Sequence, residues 1–271
     1  YKPTSEGRRR RKTLIKGVTK ARPEKRLTKP LKGPAGRNSG KVSSRHRQRG
    51  HKKFYRVIDF KRDKYDIPAT VTALEHDPNR GPTIALVCYA DGEKRYILAP
   101  EGLKVGDKVL SSRSFVETSP GNATILKHIP LSAQVHNIEI NQGAGGQLIR
   151  GAGNYGTIMA KEGNYVNIKL PSGEVKRFLQ DCLASIGVLS NTDLRNRVLG
   201  KAGVARHLGK RPHIRGVAIA NPHDHPHGGS YKDKGIGGPS PKSPWGWKTR
   251  GKKTRSRKAG LKYLVSPRKG K

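Results

Sequence analysis

Three histidines stand at alternate positions, His223, His225 and His227, with Asp224 between the first two, in a run from Asn221 to Gly229 that reads NPHDHPHGG. Imidazoles two residues apart point to one side of an extended chain, which is what a metal site or a hydrolytic centre would use. The flanking residues argue against both. Pro222 and Pro226 disfavour a paired strand, and beyond Asp193 the only acids are Asp224 and Asp233. No pocket-forming apolar residues surround the run. The sequence therefore assigns no metal ligand and no catalytic residue here. The imidazoles read instead as donors to phosphate and 2′-hydroxyl oxygens, or as rings that stack on bases.

Two loops carry an arginine. Gly143 to Gly153 (GAGGQLIRGAG) is the most glycine-dense stretch, but it lacks the Gly-Lys-Ser/Thr ending of a nucleotide-binding P-loop. It reads as a turn whose bare backbone approaches a partner closely, with Arg150 projecting from it. Arg80 sits at the tip of a turn, Asp77-Pro78-Asn79-Arg80-Gly81. The planar guanidinium of Arg150 suits a phosphate or a base edge, whereas Arg80, a lone arginine on a turn, reads by itself as a solvated side chain. Trp245 and Trp247 lie in a tail almost without apolar company, so each either anchors that tail or stacks on a nucleobase. Cys88 and Cys182 are far apart and each has apolar neighbours, which fits reduced, buried thiols rather than a disulfide or a zinc ribbon.

The elements that must position these groups follow from where the charge lies. The chain of 271 residues has 57 Lys and Arg against 19 Asp and Glu, a net charge of +38. Residues 1–60 and residues 196–271 each carry +18, while residues 61–195 carry only +2. Two polycationic ends on a nearly neutral body imply a standing polyanionic partner, and nucleic acid is the first candidate. No apolar run approaches the length of a membrane span, and no long amphipathic helix is evident.

The body reads as β structure. Phe54–Phe60 is a short aromatic and β-branched run, Thr83–Tyr89 is a continuous apolar run, Ala90-Asp91-Gly92 turns it, and Lys94–Leu98 returns. Ala133–Ile140, Tyr155–Ala160, Tyr165–Leu170 and Glu174–Leu179 form a second set, with period-two alternation of Val166, Ile168 and Leu170. Short strands punctuated by Gly and Pro predict small barrels, one over 61–125 and one over 126–195, with a seam near Pro120. Residues 1–60 and 196–271 are expected to be irregular basic extensions that order against phosphates.

The chain also resembles the universal large-subunit ribosomal protein L2 family. The resemblance rests on motifs in family order, including RHRQRGHKKFYRVIDFKRDK, DGEKRYILAPEGLKVGD, GAGGQLIRGAG, VLGKAGVARHLGKRPHIRGVA, DHPHGG and SPWGWKTRGKKTR. It implies an all-β protein, an OB-fold barrel followed by an SH3-like barrel, with long basic N- and C-terminal extensions. It implies a structural, non-enzymatic component that binds large-subunit rRNA, supports subunit association and lies near the peptidyl-transferase centre. The family's two rRNA-binding arginines fall on Arg80 and Arg150. The histidine discussed there in connection with peptide-bond formation falls on His225, to which no catalytic role is given, because the peptidyl transferase is RNA. Residues within the matching motifs complete the expected rRNA-binding set: Arg45, His46, Lys52, Lys53, Lys61, Arg62, Lys201, Arg206, Arg211, His227, Trp245, Lys252, Lys253 and Arg255. Expected partners are large-subunit rRNA, neighbouring ribosomal proteins and the small subunit at an intersubunit bridge. No resident cofactor is expected, although Mg²⁺ bridging to rRNA is compatible with the composition.

The histidine loop departs from the family pattern. It carries one extra residue, His223 at a position usually Val, and Ser230 where a third Gly is usual. These departures, with a first residue that is not Met, point to the mitochondrial matrix ahead of a plastid or a bacterial cytoplasm.

Overall fold

The computed structural model describes residues 2–14, 17–20, 22–31, 35–221, 225–229, 242–252 and 262–268. Lys253 and Arg255 of the expected RNA-binding set, and His223 and Asp224 of the histidine run, lie outside the described residues. In chain order the elements begin with helix α1 (Glu6–Arg9) and strands β1 (Thr28–Pro30), β2 (Arg37–Asn38), β3 (Lys41–Val42) and β4 (Phe54–Arg56). The first barrel follows as β5 (Ala69–Glu75), β6 (Ile84–Tyr89), β7 (Lys94–Leu98) and β8 (Lys108–Val109). Then come β9 (Ala123–Ile125), β10 (Gln134–His136), β11 (Ile138–Glu139), β12 (Gly146–Leu148), β13 (Gly156–Glu162), β14 (Tyr165–Lys169), β15 (Val175–Leu179) and β16 (Leu183–Ile186). Helix α2 (Ala202–His207) and strand β17 (Leu264–Ser266) complete the order. The protein is all-β as expected, with an OB-fold barrel followed by an SH3-like barrel. Among the described residues, no helix is long and apolar enough to cross a membrane.

The chain forms two compact units, one of residues 1–32, 52–202 and 260–271, the other of residues 33–51 and 203–259. In the first unit, β5 to β8 make an antiparallel sheet in the order β7-β6-β5-β8. The Asp91-Gly92 hairpin forms where the sequence places it, with Gly92 at φ +84°. The continuous apolar run of β6 is explained by burial on both faces. Ala85 and Val87 enter one core with Val71, Ile97 and Val109, while Ile84 and Leu86 enter another with Ile58, Tyr96 and Leu189. A bulge between Val71 and Ala73 divides β5 between the same two cores.

That second core anchors the N-terminal extension, and the Phe54–Phe60 run read as β structure forms β4 and supplies Ile58. Leu27 packs against it and Ile58 belongs to it, so two points of the first 60 residues are tied down by apolar burial. Strand β1 pairs with β4, and Thr19 bonds to the backbone of Leu74. The backbone N–H of Glu24 donates to the Tyr96 hydroxyl (2.7 Å), which donates to buried Glu75 (2.7 Å), and Lys20 pairs with the same carboxylate. Burial raises the Glu75 carboxyl above its ordinary pKa, and the Tyr96 hydrogen bond and Lys20 charge oppose that shift.

Strands β9, β10 and β13 to β17 form an antiparallel sheet in the order β17-β15-β14-β13-β10-β16-β9. Its core holds Val135, Ile158, Val166, Ile168, Phe178 and Ile186. The alternation in Tyr165–Leu170 buries Val166, Ile168 and Leu170, as expected. His136 is fully buried in this barrel, with Nδ1 2.9 Å from the Gly187 carbonyl, and burial lowers its pKa to about 4.

Candidate nucleic-acid interface

The site is assembled around Phe60. The Asp59 carboxylate accepts the backbone N–H groups of Lys61 (3.1 Å) and Arg62 (2.8 Å), which turns the chain sharply after Phe60. The Phe60 carbonyl accepts the Gly146 N–H (2.8 Å) and the Asn137 side-chain amide (3.3 Å). A Cβ on Gly146 would lie 2.4 Å from the Asn137 carbonyl oxygen, so only glycine fits there. Buried Glu139 accepts N–H groups from Gly143 (3.3 Å), Gly145 (2.9 Å) and Leu183 (3.0 Å). The partner that the glycine-rich segment approaches closely is therefore its own chain. These N–H groups are spent inside the fold and are not offered to a phosphate.

Arg80 and Arg150 converge on this platform from different barrels. The Arg80 guanidinium carbon lies 5.5 Å from the Phe60 ring centre and 5.7 Å from that of Tyr55. The Arg150 guanidinium lies 4.5 Å from the same Phe60 ring. All three distances are in cation–π range. Fully buried Asp77 accepts from Arg80 Nε and from the Asn79 N–H (2.8 Å), which fixes the turn, and the Arg80 side chain keeps 16% of its surface exposed. Arg150 is exposed, and Lys61 is exposed beside the platform. Nearby carboxylates do not dominate the field, because Arg95 engages Asp59, Asp63 and Glu93, and Lys64 engages Asp91 and Glu93. Arg150 offers an exposed guanidinium and Arg80, paired with Asp77, offers the edge that this pair leaves over, so the two can hold adjacent phosphates, or a phosphate and a base edge.

Arg62 departs from expectation. Its side chain is buried, 3% of the residue is exposed, and Nη2 donates to the Gly121 carbonyl (3.1 Å). The positive φ of 53° at Arg62 turns it inward, so it fastens the start of the first barrel instead of meeting RNA. The remaining expected contacts in the first unit stay at the surface. Lys52 is exposed with Nζ 5.8 Å from the Phe54 ring, Lys53 is half-buried, and Lys201 is exposed and packs along Gly7.

In the second unit, residues 46–51 run antiparallel to 207–211. Gln48 N–H donates to Gly209 O (2.9 Å), His51 N–H to His207 O (2.9 Å) and Arg211 N–H to His46 O (3.0 Å). The Gln48 amide also donates to the Arg206 carbonyl (2.7 Å). The His46 and His213 rings stand 4.3 Å apart. Arg45 and Arg211 are exposed here, and Arg206 is half-buried.

The histidine loop is closed by its own bonds. His225 Nδ1 accepts the His227 N–H (3.3 Å), and His227 Nε2 accepts the Lys242 N–H (3.0 Å). Each imidazole thus spends a nitrogen on the backbone, and the rings are 5.7 Å apart. Gly216 packs flat against the His225 ring, where a Cβ would lie 2.3 Å from Nδ1. Desolvation, then His227 and Arg45, lower the His225 pKa. Among the described residues, no group of three His, Cys, Asp or Glu side chains is placed to hold a metal ion. Trp245 and Trp247 are not buried anchors: 76% and 61% of each is exposed, on a turn closed by the Ser243 N–H to Trp247 O bond. Lys252 lies 4.0 Å over the Trp247 ring.

Phe60, Tyr55, Asp77 and Glu139 were missed in the sequence as parts of the site. Only Asp77 carried a signal, as the first residue of an Asp-Pro-Asn-Arg turn whose carboxylate can bond ahead.

Two family models match the chain. The RNA-binding N-terminal domain of ribosomal proteins L2 matches residues 24–111, and the C-terminal domain of ribosomal proteins L2 matches residues 119–246. The first match contains Phe60 and Arg80, and the second contains Arg150 and the histidine loop. Together they cover most of the chain, and the protein belongs to the ribosomal L2 family, the RNA-binding structural proteins of the large ribosomal subunit.

Proposed function

We propose that this protein fastens large-subunit rRNA by a rigid double-arginine grip, Arg80 and Arg150 on Phe60, while its basic ends neutralise phosphates where RNA helices crowd together. The observation that carries the reading is the convergence of both guanidiniums on one ring from separate barrels. The ends supply affinity through counterion release, and the grip supplies register. The histidine loop and the exposed tryptophans offer donors and stacking faces to the same RNA. The protein performs no chemistry of its own in this reading, and Mg²⁺ enters only as an ion bridging to rRNA. Support of subunit association, contacts to neighbouring ribosomal proteins and residence in the mitochondrial matrix complete the proposal. They rest on the family assignment and on the departures in the histidine loop.

The test is binding of the full chain to a large-subunit rRNA transcript across a salt series. Affinity is expected to fall steeply with salt. Arg80→Ala and Arg150→Ala should each weaken binding by about tenfold and flatten the log–log salt slope by about one. Unchanged affinity for both variants would refute the grip.

A further inference from the structure

Five residues after Arg150, the chain opens a second feature that the arginine grip does not use. Tyr155 and Thr157 are two apart on the chain entering β13, and Thr157 is the register partner of Lys169 on β14. Residues two apart on a strand, and partners directly opposite across a pair, share a face. Gly156, Ile158 and Ile168, which alternate with them, are buried in the barrel core. Tyr155, Thr157 and Lys169 therefore stand together on the outside. Asn154 flanks them, and the turn of Pro171 to Gly173 walls the far side, enclosing a hollow of about 320 Å³. Tyr155 is 42% exposed, an uncovered aromatic ring in a chain with few aromatics.

The hollow is rigid where rigidity matters. The Gly153 N–H donates to the carbonyls of Leu189 and Ser190 (both 3.1 Å), and the Asn154 carbonyl accepts the Leu189 N–H (3.3 Å). Gly153 holds φ +66° against Thr192, where a Cβ would come within 2.6 Å. On the other wall, Gly173 N–H bonds to Leu170 O (2.9 Å) and Leu170 N–H to Glu174 O (2.8 Å). Tyr155 is thus held at a fixed offset from Arg150, no more than about 18 Å along an extended chain.

We propose that this hollow takes one unpaired nucleobase of the rRNA strand gripped by Arg150. The base stacks on the Tyr155 ring, the Asn154 amide and Thr157 hydroxyl meet its polar edge, and Lys169 meets the adjoining phosphate. The chemistry of the lining carries this choice. A phosphate alone has no use for the aromatic wall, and a basic peptide would meet Lys169 with no carboxylate among the lining residues. A splayed base needs a flat apolar face, a few hydrogen-bonding groups and one cation nearby, which are all present. The inference rests on the RNA-gripping reading, and it adds that the protein selects single-stranded or bulged RNA beside the grip.

The test uses the full chain and a large-subunit rRNA transcript substituted with 4-thiouridine, with folding checked by circular dichroism. Tyr155→Ala is expected to weaken binding about tenfold, with an unchanged salt slope, because stacking releases no counterion. Tyr155→Phe should match the wild type within about twofold, since it keeps the ring. Ultraviolet cross-linking should map to the peptide that contains Tyr155. Full affinity in Tyr155→Ala, together with weakened binding in Arg150→Ala, would overturn the base pocket and leave the grip standing. Full affinity in Tyr155→Ala, Arg80→Ala and Arg150→Ala alike would overturn both the base pocket and the grip. A salt slope reduced by about one in Tyr155→Ala would mean that the hollow holds a phosphate, and would also overturn the proposal.

Discussion

The platform around Phe60 and the loop around His225 present polar side chains from turns, but they are held in opposite ways. At the platform, buried groups support the exposed ones: Asp77 holds Arg80, and Glu139 with the Phe60 carbonyl holds the glycine-rich segment that leads to Arg150. The loop is held by its own functional atoms, since His225 Nδ1 and His227 Nε2 accept backbone N–H groups. A site supported from beneath keeps its exposed donors for a partner. A loop that supports itself with its imidazoles has fewer left to give, and it is easier to remodel when RNA supplies replacement bonds.

A pair of glycine substitutions should break this comparison open with the largest effect. In Gly146→Ala the new Cβ meets the Asn137 backbone carbonyl at 2.4 Å, an atom fixed beside the barrel. We expect a loss of about 3 kcal/mol or more and a barrel that melts far earlier in a denaturation series. In Gly216→Ala the Cβ meets the His225 ring, the end of a side chain that can swing away. Its melting curve should superpose on the wild type. Equal destabilisation by both would show that the loop is as firmly built as the platform.

The sequence shows the same asymmetry in what it discloses. The charge map separates a near-neutral body from cationic ends, and the Asp91-Gly92 hairpin and alternating β14 follow from short-range rules that a linear reading can apply. Phe60 could not be seen as a platform, because its meaning comes from residues 80 and 150, distant in the chain and unremarkable alone. Arg62 misled for the complementary reason. A basic run predicts exposure, and a single positive φ sends one member inside to Gly121. Ile58 was legible in the β-branched run Phe54–Phe60, whereas Leu27 hid in a segment read by its charge and yet packs against the same core. The three-histidine ladder was conspicuous because spacing is visible in a sequence, whereas the bonds that occupy its nitrogens are not.

The histidines themselves sharpen the contrast by pH. Burial lowers the His136 pKa from 6.5 to about 4, so the native barrel excludes a proton that the unfolded chain binds. Stability from this group is therefore complete above pH 6.5, falls as pH drops from 6.5 to about 4, and changes no further below. The span corresponds to about 3 kcal/mol. Glu75 opposes it over the lower part of the window, because its raised pKa makes the native state take up a proton first. His136→Gln retains a donor for the Gly187 carbonyl and should remove the downward slope seen in chemical denaturation between pH 6.5 and 4. The His225 pKa is lowered in the same direction, but the residue is only half-buried, so His225→Gln should remove a smaller share of that slope than His136→Gln.

The smallest expected effect tests whether Phe60 acts on the arginines or merely fills space. Phe60→Leu keeps an apolar side chain against the second core of the first barrel but removes the ring beneath both guanidiniums. Loss of the cation–π support should weaken RNA binding by about fivefold, roughly 1 kcal/mol. The number of phosphates neutralised does not change, so the salt slope should match the wild type, unlike that of Arg80→Ala. The decisive quantity is the coupling in a double-mutant cycle. If the ring positions both guanidiniums, Phe60→Leu should cost less once Arg80 is already Ala and little once Arg150 is Ala as well, and the combined variant should fall short of the sum of the singles. Strict additivity would make Phe60 a packing residue and reduce the platform to two independent arginines, no better organised than the loop around His225.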